Sequence, residues 1–244
     1  MGFIWEGVEE AFELIVHGDA EVMQILGVTL HVAVFSTALA LLFGLPCGLF
    51  FGLGRFRGRR LGIAMFNAGL GLPPVLVGLV VFLLFLRAGP FGGLELLYTV
   101  NGVILAQAIL AFPIVAAFTA SAVQAVPVGL FEQAQLLGAS RRQLWALALR
   151  EARVGVIGAA IAALGSALSE VGAVVLVGGN IHGQTQTLAS AILTEVASGE
   201  YARAIAFGIL LLGLILICGA ALTLLQQRGE GDGAATPARR WRAS

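Results

Sequence analysis

Residues 128–153, VGLFEQAQLLGASRRQLWALALREAR, are a long polar, charge-bearing segment between two strongly apolar runs in the second half of the chain. The segment predicts a helix, a turn and a second helix. Leu130, Ala134 and Leu137 recur at helical spacing after Pro127, a residue suited to the start of a helix. Between apolar runs, such a segment is either a surface loop or a docking element.

The turn of this segment is expected at Gly138. Glycine readily adopts the left-handed backbone conformation that ends many helices. Ser140, with Gln143 three residues later, matches the capping box that starts a new helix. The segment is therefore predicted to form a two-helix hairpin, here called the 128–153 hairpin, with its corner at Gly138.

The composition of the chain places it in a membrane. Of 244 residues, 59% are hydrophobic and 11% are charged, and the mean hydropathy is +0.96. Apolar runs long enough to cross a bilayer core, which takes about 20 helical residues, recur along the sequence. This composition excludes a soluble domain and predicts an all-α polytopic membrane protein.

Five apolar segments are predicted to span the membrane, at about 28–52, 61–86, 100–123, 154–177 and 204–225. The second segment is broken by Gly71 and Pro73-Pro74. Residues 1–226 are predicted to form one transmembrane domain whose polar loop covers about 124–153. The Gly-, Ala- and Pro-rich residues 227–244 are predicted to be a disordered tail.

The first 24 residues are acidic and contain no Lys or Arg. Trp5, Val8 and Phe12 lie between the acidic side chains. This alternation predicts an amphipathic helix at the membrane interface, with Trp5 as its anchor.

The placement of arginine predicts the orientation of the spans. Four arginines lie at 55–60, four in the 124–153 loop and four in the tail after residue 227, whereas Arg87 and Arg203 lie at the opposite boundary. Cytoplasmic loops are enriched in Lys and Arg. The N-terminus is therefore predicted outside and the C-terminus in the cytoplasm, an arrangement that requires an odd number of spans.

A known family matches the hairpin. Glu132-Gln133-Ala134, three further residues and then Gly138 resemble the E-A-A-x-x-x-G loop of ABC-importer permeases, the inner-membrane subunits that dock on a cytosolic ATPase. The resemblance implies a permease fold with a cytoplasmic coupling-helix hairpin. Its implied ATPase-coupling residues are Glu132, Gln133, Ala134, Gly138, Ala139, Ser140 and Arg141. An ion pair between Glu132 and Arg141 or Arg142 within a plain surface loop stays open as an alternative.

The fourth predicted span carries polar residues at membrane depth, namely Ser166, Ser169 and Glu170. A carboxylate in lipid is costly, so Glu170 is expected to face protein or water. On a continuous helix Ser166 and Glu170 share a face. These residues either line a translocation path or dimer axis, or hold the bundle together as a protonated or paired acid with small packing partners.

The region around the fourth span indicates which branch of the permease family the chain resembles. LSEVGAVVLVGGNI (168–181) resembles the GEFGA…GNI segment of permeases for tungstate, molybdate and sulfate, and 183–204 resembles their next stretch, T-x-T-L-x-x-A-I, with its helix on the outer side. The GGNI form is most like the tungstate branch, which implies tungstate as cargo, with molybdate or sulfate as alternatives. Asn180, Thr185 and Thr187 offer neutral donors along the path of a dianion. They are equally typical of a solvated outer loop.

Other chemistry is not expected of this chain. It lacks GxxxxGK[ST] and the HExxH and GxSxG motifs, so no ATP site and no catalytic residue is predicted. Cys47 and Cys218 lie in apolar runs without the spacing of a metal site, so no metal is expected either.

The resemblance also implies the partners and the location. ATP and Mg would bind to a cytosolic ABC ATPase dimer. The other partners would be a second copy of the chain, a periplasmic or lipid-anchored oxyanion-binding protein and membrane lipid, but no nucleic acid. The membrane would be the cytoplasmic (inner) membrane of a bacterium or an archaeon.

Two other classes of function stay open. A secondary transporter driven by an ion gradient would need several membrane-depth charges and inverted repeats, and only Glu170 is clearly that deep. An intramembrane enzyme would need paired catalytic groups within the spans, and none is visible in the sequence.

Overall fold

The computed structural model describes residues 2–17 and 19–231. These residues form helices and connecting turns and no strand, which confirms the prediction of an all-α protein. The helices are α1 (Gly2–His17), α2 (Ala20–Leu53), α3 (Arg59–Gly69), α4 (Pro74–Phe85), α5 (Val100–Ala125), α6 (Val128–Leu136), α7 (Arg141–Glu151), α8 (Arg153–Ser169), α9 (Gly172–Gly178), α10 (Leu188–Ser198) and α11 (Tyr201–Gly231), with a 3-10 turn at Gly92–Leu94.

Up to five membrane spans are present among the described helices. α2, α5 and α11 are each long and apolar enough to cross a membrane alone. Two bent pairs pass the same test of length and composition, since α3 and α4 meet at 100° and α7 and α8 meet at 68°, so the count is three spans, or five if each pair is taken as one. The break in the second span falls where Gly71 and Pro73-Pro74 predicted it.

The centre of the bundle is the pair α2 and α5, which runs parallel with extensive contact. A Cβ built on Gly48 would lie 2.5 Å from the Cβ of Thr119 and 2.8 Å from the carbonyl oxygen of Ala116. Only glycine permits that approach, and small residues of this kind are what lets transmembrane helices pack closely. The buried small residues of α2 recur every fourth position, at Ser36, Ala40, Gly44, Gly48 and Gly52.

The predicted N-terminal helix ends earlier than expected. α1 stops at His17, and α2 already begins at Ala20, before the predicted start of the first span. The Asp19 side chain caps α2 by accepting hydrogen bonds from the N–H groups of Glu21 (2.9 Å) and Val22 (3.1 Å). α1 then packs along α11.

The fourth predicted span, 154–177, is not one helix. α8 ends at Ser169, Glu170 is extended with φ −78° and ψ 129°, and α9 starts at Gly172. The expectation that Ser166 and Glu170 share a face of a continuous helix is therefore wrong. The physical reason lies in Glu170 itself, because its side chain accepts the N–H of Gly172, the first residue of α9, at 2.7 Å and so competes with the hydrogen bond that would continue α8.

The last helix is longer than predicted. α11 continues to Gly231, so residues 227–231, which were assigned to a disordered tail, are helical. Residues 232–244, the remainder of that predicted tail, lie outside the described residues.

Candidate functional site

The corner of the 128–153 hairpin has the predicted geometry. Gly138 has φ +82°, in the left-handed region. Its N–H donates to the carbonyl of Gln135 at 2.9 Å, and the N–H of Ala139 donates to the carbonyl of Ala134 at 3.0 Å. These two hydrogen bonds form a Schellman motif, which satisfies carbonyl groups at the end of α6.

The start of α7 is fixed just as firmly. The N–H of Ser140 donates to Oε1 of Gln143 at 2.7 Å, and the N–H of Gln143 donates to the Ser140 hydroxyl oxygen at 3.4 Å. The predicted capping box is thereby confirmed. Local hydrogen bonds on both sides of Gly138 make the corner a defined element rather than a loose loop.

Apolar side chains hold the hairpin against the ends of the two central helices. Phe131 of α6 packs against a buried cluster to which α7 contributes Ala148. The cluster contains Leu49 of α2 and Val123 of α5. Its members are Leu49, Val123, Val126, Ala148 and Ala152, with Leu53, Ala122, Leu130 and Phe131 packed around them. The hairpin is therefore in direct apolar contact with both α2 and α5.

The tip of the hairpin leaves apolar surface uncovered. Leu136 and Leu137 are each 88% exposed. The helical spacing of Leu137 with Leu130 therefore does not place it against the protein. Glu132 is exposed and forms no ion pair with Arg141 in the described part of the chain. Adjacent exposed leucines beside polar residues are typical of a surface that another protein covers.

Glu170 lies where the two broken spans meet. Its Oε1 accepts the N–H groups of Gly172 (2.7 Å) and Ala173 (3.4 Å), and its own N–H donates to the carbonyl of half-buried Ser166 at 3.1 Å. A Cβ on Gly172 would lie 2.5 Å from Cγ2 of Val75, near the start of α4. The breaks of the second and fourth spans are thus in contact.

Ser169 takes part in the same break. Its hydroxyl donates to the carbonyl of Gly165 at 2.9 Å, and it is exposed at the end of α8. A serine that bonds back to a carbonyl four residues earlier weakens the helix there. A place for Ser166, Ser169 and Glu170 on a translocation path stays a prediction, whereas their part in shaping this break is visible.

The three candidate donors after the fourth span bond within their own segment. Asn180 has φ +49°, and its Nδ2 donates to the hydroxyl of Thr194 at 2.8 Å. The buried Thr185 hydroxyl donates to the carbonyl of Gly178 at 2.6 Å. Thr187 is also buried and caps α10. These contacts fix the turn before α10, and the role of the three residues in transport stays a prediction.

A polar network at the same end was not found from the sequence. Glu21 of α2 contacts Nε2 of His182 at 2.9 Å and accepts from Nη2 of Arg203 at 2.8 Å. Three residues further along α2, the Gln24 side chain donates to the carbonyl of Gly183. No local pattern could have revealed these contacts, because the partners are more than 150 residues apart.

Glu10 of α1 lies close to this network. Burial raises its pKa above the ordinary value; Arg203 opposes that rise, while the carboxylates of Glu195 and Glu200 add to it. Glu10 therefore keeps its proton to a higher pH than a free glutamate.

The candidate residues do not form one site. The hairpin contacts Leu49 near one end of α2, whereas Glu21 and Gln24 at the other end hold the segment at 182–183. At 1.5 Å per residue, those ends are roughly 40 Å apart. Glu170 lies between them along the chain of helices, at the break in the fourth span.

Metal ligands are not brought together in the described ranges. Across residues 2–17 and 19–231, no three His, Cys, Asp or Glu side chains are grouped as ligands. Cys47 and Cys218 are free thiols.

The apolar spans and the two-helix hairpin packed on the ends of the central pair match the fold of a chain of a solved ABC transporter. The structure superposes on a chain of the MetNI methionine ABC transporter in an inward-facing conformation, with a TM-score of 0.71 and 21% sequence identity. The match covers 86% of this chain and 96% of that chain. It shows that the two share a fold.

The chain belongs to the family of binding-protein-dependent transport system inner membrane components, whose sequence model matches residues 44–230. It is 40% identical over 214 residues to a probable anion ABC transporter permease protein of Haloferax volcanii (86% of this chain, 92% of that protein). It is 35% identical over 227 residues to the tungstate uptake system permease protein TupB of Peptoclostridium acidaminophilum (93% of this chain, all of that protein). The resemblance to ABC-importer permeases is confirmed. The protein is the permease subunit of such an importer.

Proposed function

We propose that this permease moves an oxyanion into the cytoplasm and that its 128–153 hairpin couples this movement to ATP hydrolysis by a separate subunit. The observation that carries the proposal is the position of the hairpin. Its tip exposes Leu136 and Leu137 to a partner, while its base packs on α2 and α5. A partner that pushes on the tip would move both central helices together.

The partner that fits this surface is a cytosolic ABC ATPase dimer, which would hold ATP and Mg itself. The proposed docking residues are Glu132, Gln133 and Ala134, together with the corner from Gly138 to Arg141. Because the Schellman motif and the capping box hold the corner, displacement is transmitted to Leu49 and Val123 rather than absorbed in the loop.

The orientation and assembly follow from the same proposal. The end of the bundle formed by residues 54–60 and the hairpin, here called the arginine-rich end, would face the cytoplasm. The N-terminus and the 179–187 segment would lie outside, where a periplasmic or lipid-anchored binding protein delivers the cargo. Two copies of the chain would form the pathway between them.

The proposed cargo is tungstate, with molybdate and sulfate as weaker alternatives. Support comes from the likeness to TupB over its whole length and to a probable anion permease. At the proposed outer end, Arg203 is paired with Glu21, so its charge is partly neutralised. A permease that binds its cargo weakly offers little difference in affinity between oxyanions, so selection would rest mainly with the binding protein.

Uptake into vesicles tests the cargo. Vesicles would hold this permease and its partner ATPase, with the binding protein supplied outside. We expect ATP-dependent uptake of tungstate that molybdate and sulfate compete poorly. Uptake that follows an ion gradient in the absence of ATP would instead indicate a secondary transporter, and uptake of an amino acid or a metal cation alone would refute the oxyanion.

A charge reversal tests the coupling. Glu132→Lys is expected to abolish ATP-dependent uptake and ATPase stimulation while the protein still inserts in the membrane. The matched control is Glu151→Lys, the same reversal at an exposed residue at the other end of the hairpin. Equal activity of both variants and the wild type would show that the ATPase does not dock at Glu132.

A further inference from the structure

A groove lies beside the hairpin at the arginine-rich end. It occupies about 700 Å³ between the end of α2 and the start of α7. Three arginines and three aromatic residues line it, namely Arg55, Arg141, Arg142, Phe50, Phe56 and Trp145. A groove with cations at one end and aromatic rings along its wall suits an amphipathic anion.

The arginines of this groove form no ion pair among the described residues, although Glu132 lines the adjoining cavity together with Arg55 and Arg141. Among the described residues, no carboxylate lines the groove itself. The neighbouring Arg59 is different, because its guanidinium donates to two carbonyls at the end of α2, at 2.7 and 3.0 Å. Three guanidinium groups that share one groove repel one another, and an anion with several acceptor oxygens stabilises them most.

The apolar side of the groove continues along α2. Phe50 is exposed, and Phe43, two turns earlier on the helix, is exposed as well. At 1.5 Å per residue, Phe43 lies about 15 Å from Leu53, the last residue of α2, and Arg55 follows two residues later. Half of a bilayer core is about 15 Å thick. An acyl chain along this face therefore has the length needed to place its phosphate among the arginines.

We propose that this groove binds an anionic phospholipid of the membrane leaflet at the arginine-rich end. The headgroup phosphate accepts hydrogen bonds from the guanidinium groups of Arg55, Arg141 and Arg142, which match phosphate geometry well. One acyl chain lies along Phe50 and Phe43. A zwitterionic lipid offers the same phosphate but brings a cation to three arginines, so it binds less well.

The site adds to the hairpin a membrane contact that shares Arg141 with its proposed ATPase contact. Arg55 follows α2, whereas Arg141 and Arg142 begin α7, so one phosphate bridges the end of a central span and the second hairpin helix. A bound lipid then holds the start of α7 at the membrane surface. This site needs neither cargo nor ATPase, so its test is independent of the transport proposal.

Native mass spectrometry of the purified full chain tests the site, with phosphatidylglycerol and phosphatidylcholine as probes. The variant is the double substitution Arg55→Gln and Arg142→Gln, with Arg141 kept because it belongs to the proposed docking segment. The matched control is Arg150→Gln with Arg153→Gln, which removes the same charge from the same end outside the groove. We expect the wild type and the control to retain phosphatidylglycerol over phosphatidylcholine, and the groove variant to bind it at least about tenfold more weakly.

Several results would overturn the proposal. Equal loss of lipid in the control would show general surface attraction instead of a site. Equal retention of phosphatidylcholine would remove the anionic preference. If inorganic phosphate displaces the lipid, and if Phe50→Ser does not change that displacement, the groove is a site for a soluble anion. If the double variant unfolds in detergent, Arg142→Gln alone is compared with Arg150→Gln by the same measurement.

Discussion

Gly138 offers the sharpest test of how the hairpin works. Its φ of +82° is strained for any other residue, yet a Cβ built there meets no atom within 4 Å. A substitution therefore acts through backbone conformation alone and not through a collision. The left-handed conformation costs a residue with a side chain about 1–2 kcal/mol, which lowers the preference for the native corner by a factor of about 5–30.

The substitutions at Gly138 should follow a fixed order. Asn tolerates the left-handed region best among residues with a side chain, Ala carries the full cost, and a β-branched Val is the least compatible. The apolar cluster around Ala148 does not involve the corner, so membrane insertion and thermal stability should change little. The loss of native conformation is expected to be confined to the junction of α6 and α7.

Two assays read this order independently. Trypsin cleaves after Arg141 and Arg142, directly beyond the corner, so loosening of the Ser140 cap should raise the cleavage rate from Gly through Asn and Ala to Val. ATP-dependent uptake with the partner ATPase should fall in the same order. Gly129→Ala, whose Cβ also meets nothing and which lies within α6, is the control and should leave both unchanged.

Each outcome of that series is informative. Equal cleavage rates for the four residues at position 138 would refute the claim that the left-handed glycine fixes the corner. Faster cleavage with unchanged uptake would keep the structural claim and refute the coupling role of the corner.

Three further predictions test other parts of the molecule. Gly48→Ala should lower thermal stability in detergent by about 1–3 kcal/mol, because the new Cβ collides with α5. Gly27→Ala in the same helix, where nothing lies within 4 Å, should be neutral or stabilise the protein by up to about 1 kcal/mol. Glu170→Gln keeps an acceptor for the start of α9 and should preserve stability. Glu170→Leu removes that acceptor and should lower stability by about 0.5–2 kcal/mol. If Glu170→Gln changes uptake while stability is unchanged, Glu170 is a residue of the translocation path. A reporter active only in the cytoplasm should work when fused within residues 55–60 and be silent at residues 92–95, and activity at 92–95 would reverse the proposed orientation.

The features predicted correctly from the sequence are those set by neighbouring residues. The left-handed Gly138 and the capping box of Ser140 and Gln143 involve partners only a few positions apart. The spans are similarly local, since about 20 apolar residues suffice to identify one. The break at Pro73-Pro74 followed from the missing N–H and fixed φ of proline.

The features that the sequence did not reveal depend on side chains or on distant partners. The break at Glu170 has no proline and arises because a carboxylate caps the next helix. The Glu21 contacts with His182 and Arg203 join residues 161 and 182 positions apart. The exposure of Leu137 depends on where the hairpin docks, and helical spacing alone does not report that.

The two ends of the molecule are joined mechanically by the central pair. The hairpin packs on Leu49 of α2, and the same helix holds residues 182–183 through Glu21 and Gln24. Because α2 touches α5 so closely at Gly48, the two helices have no room to slide past each other by small steps. Movement of the hairpin must then reach the far end as a displacement of both helices together. Pro46 of α2 lacks the N–H of a regular helix, so any bend within the pair is expected there. A collision at Gly48, only two residues away, should therefore disturb the coupling between the two ends as well as stability.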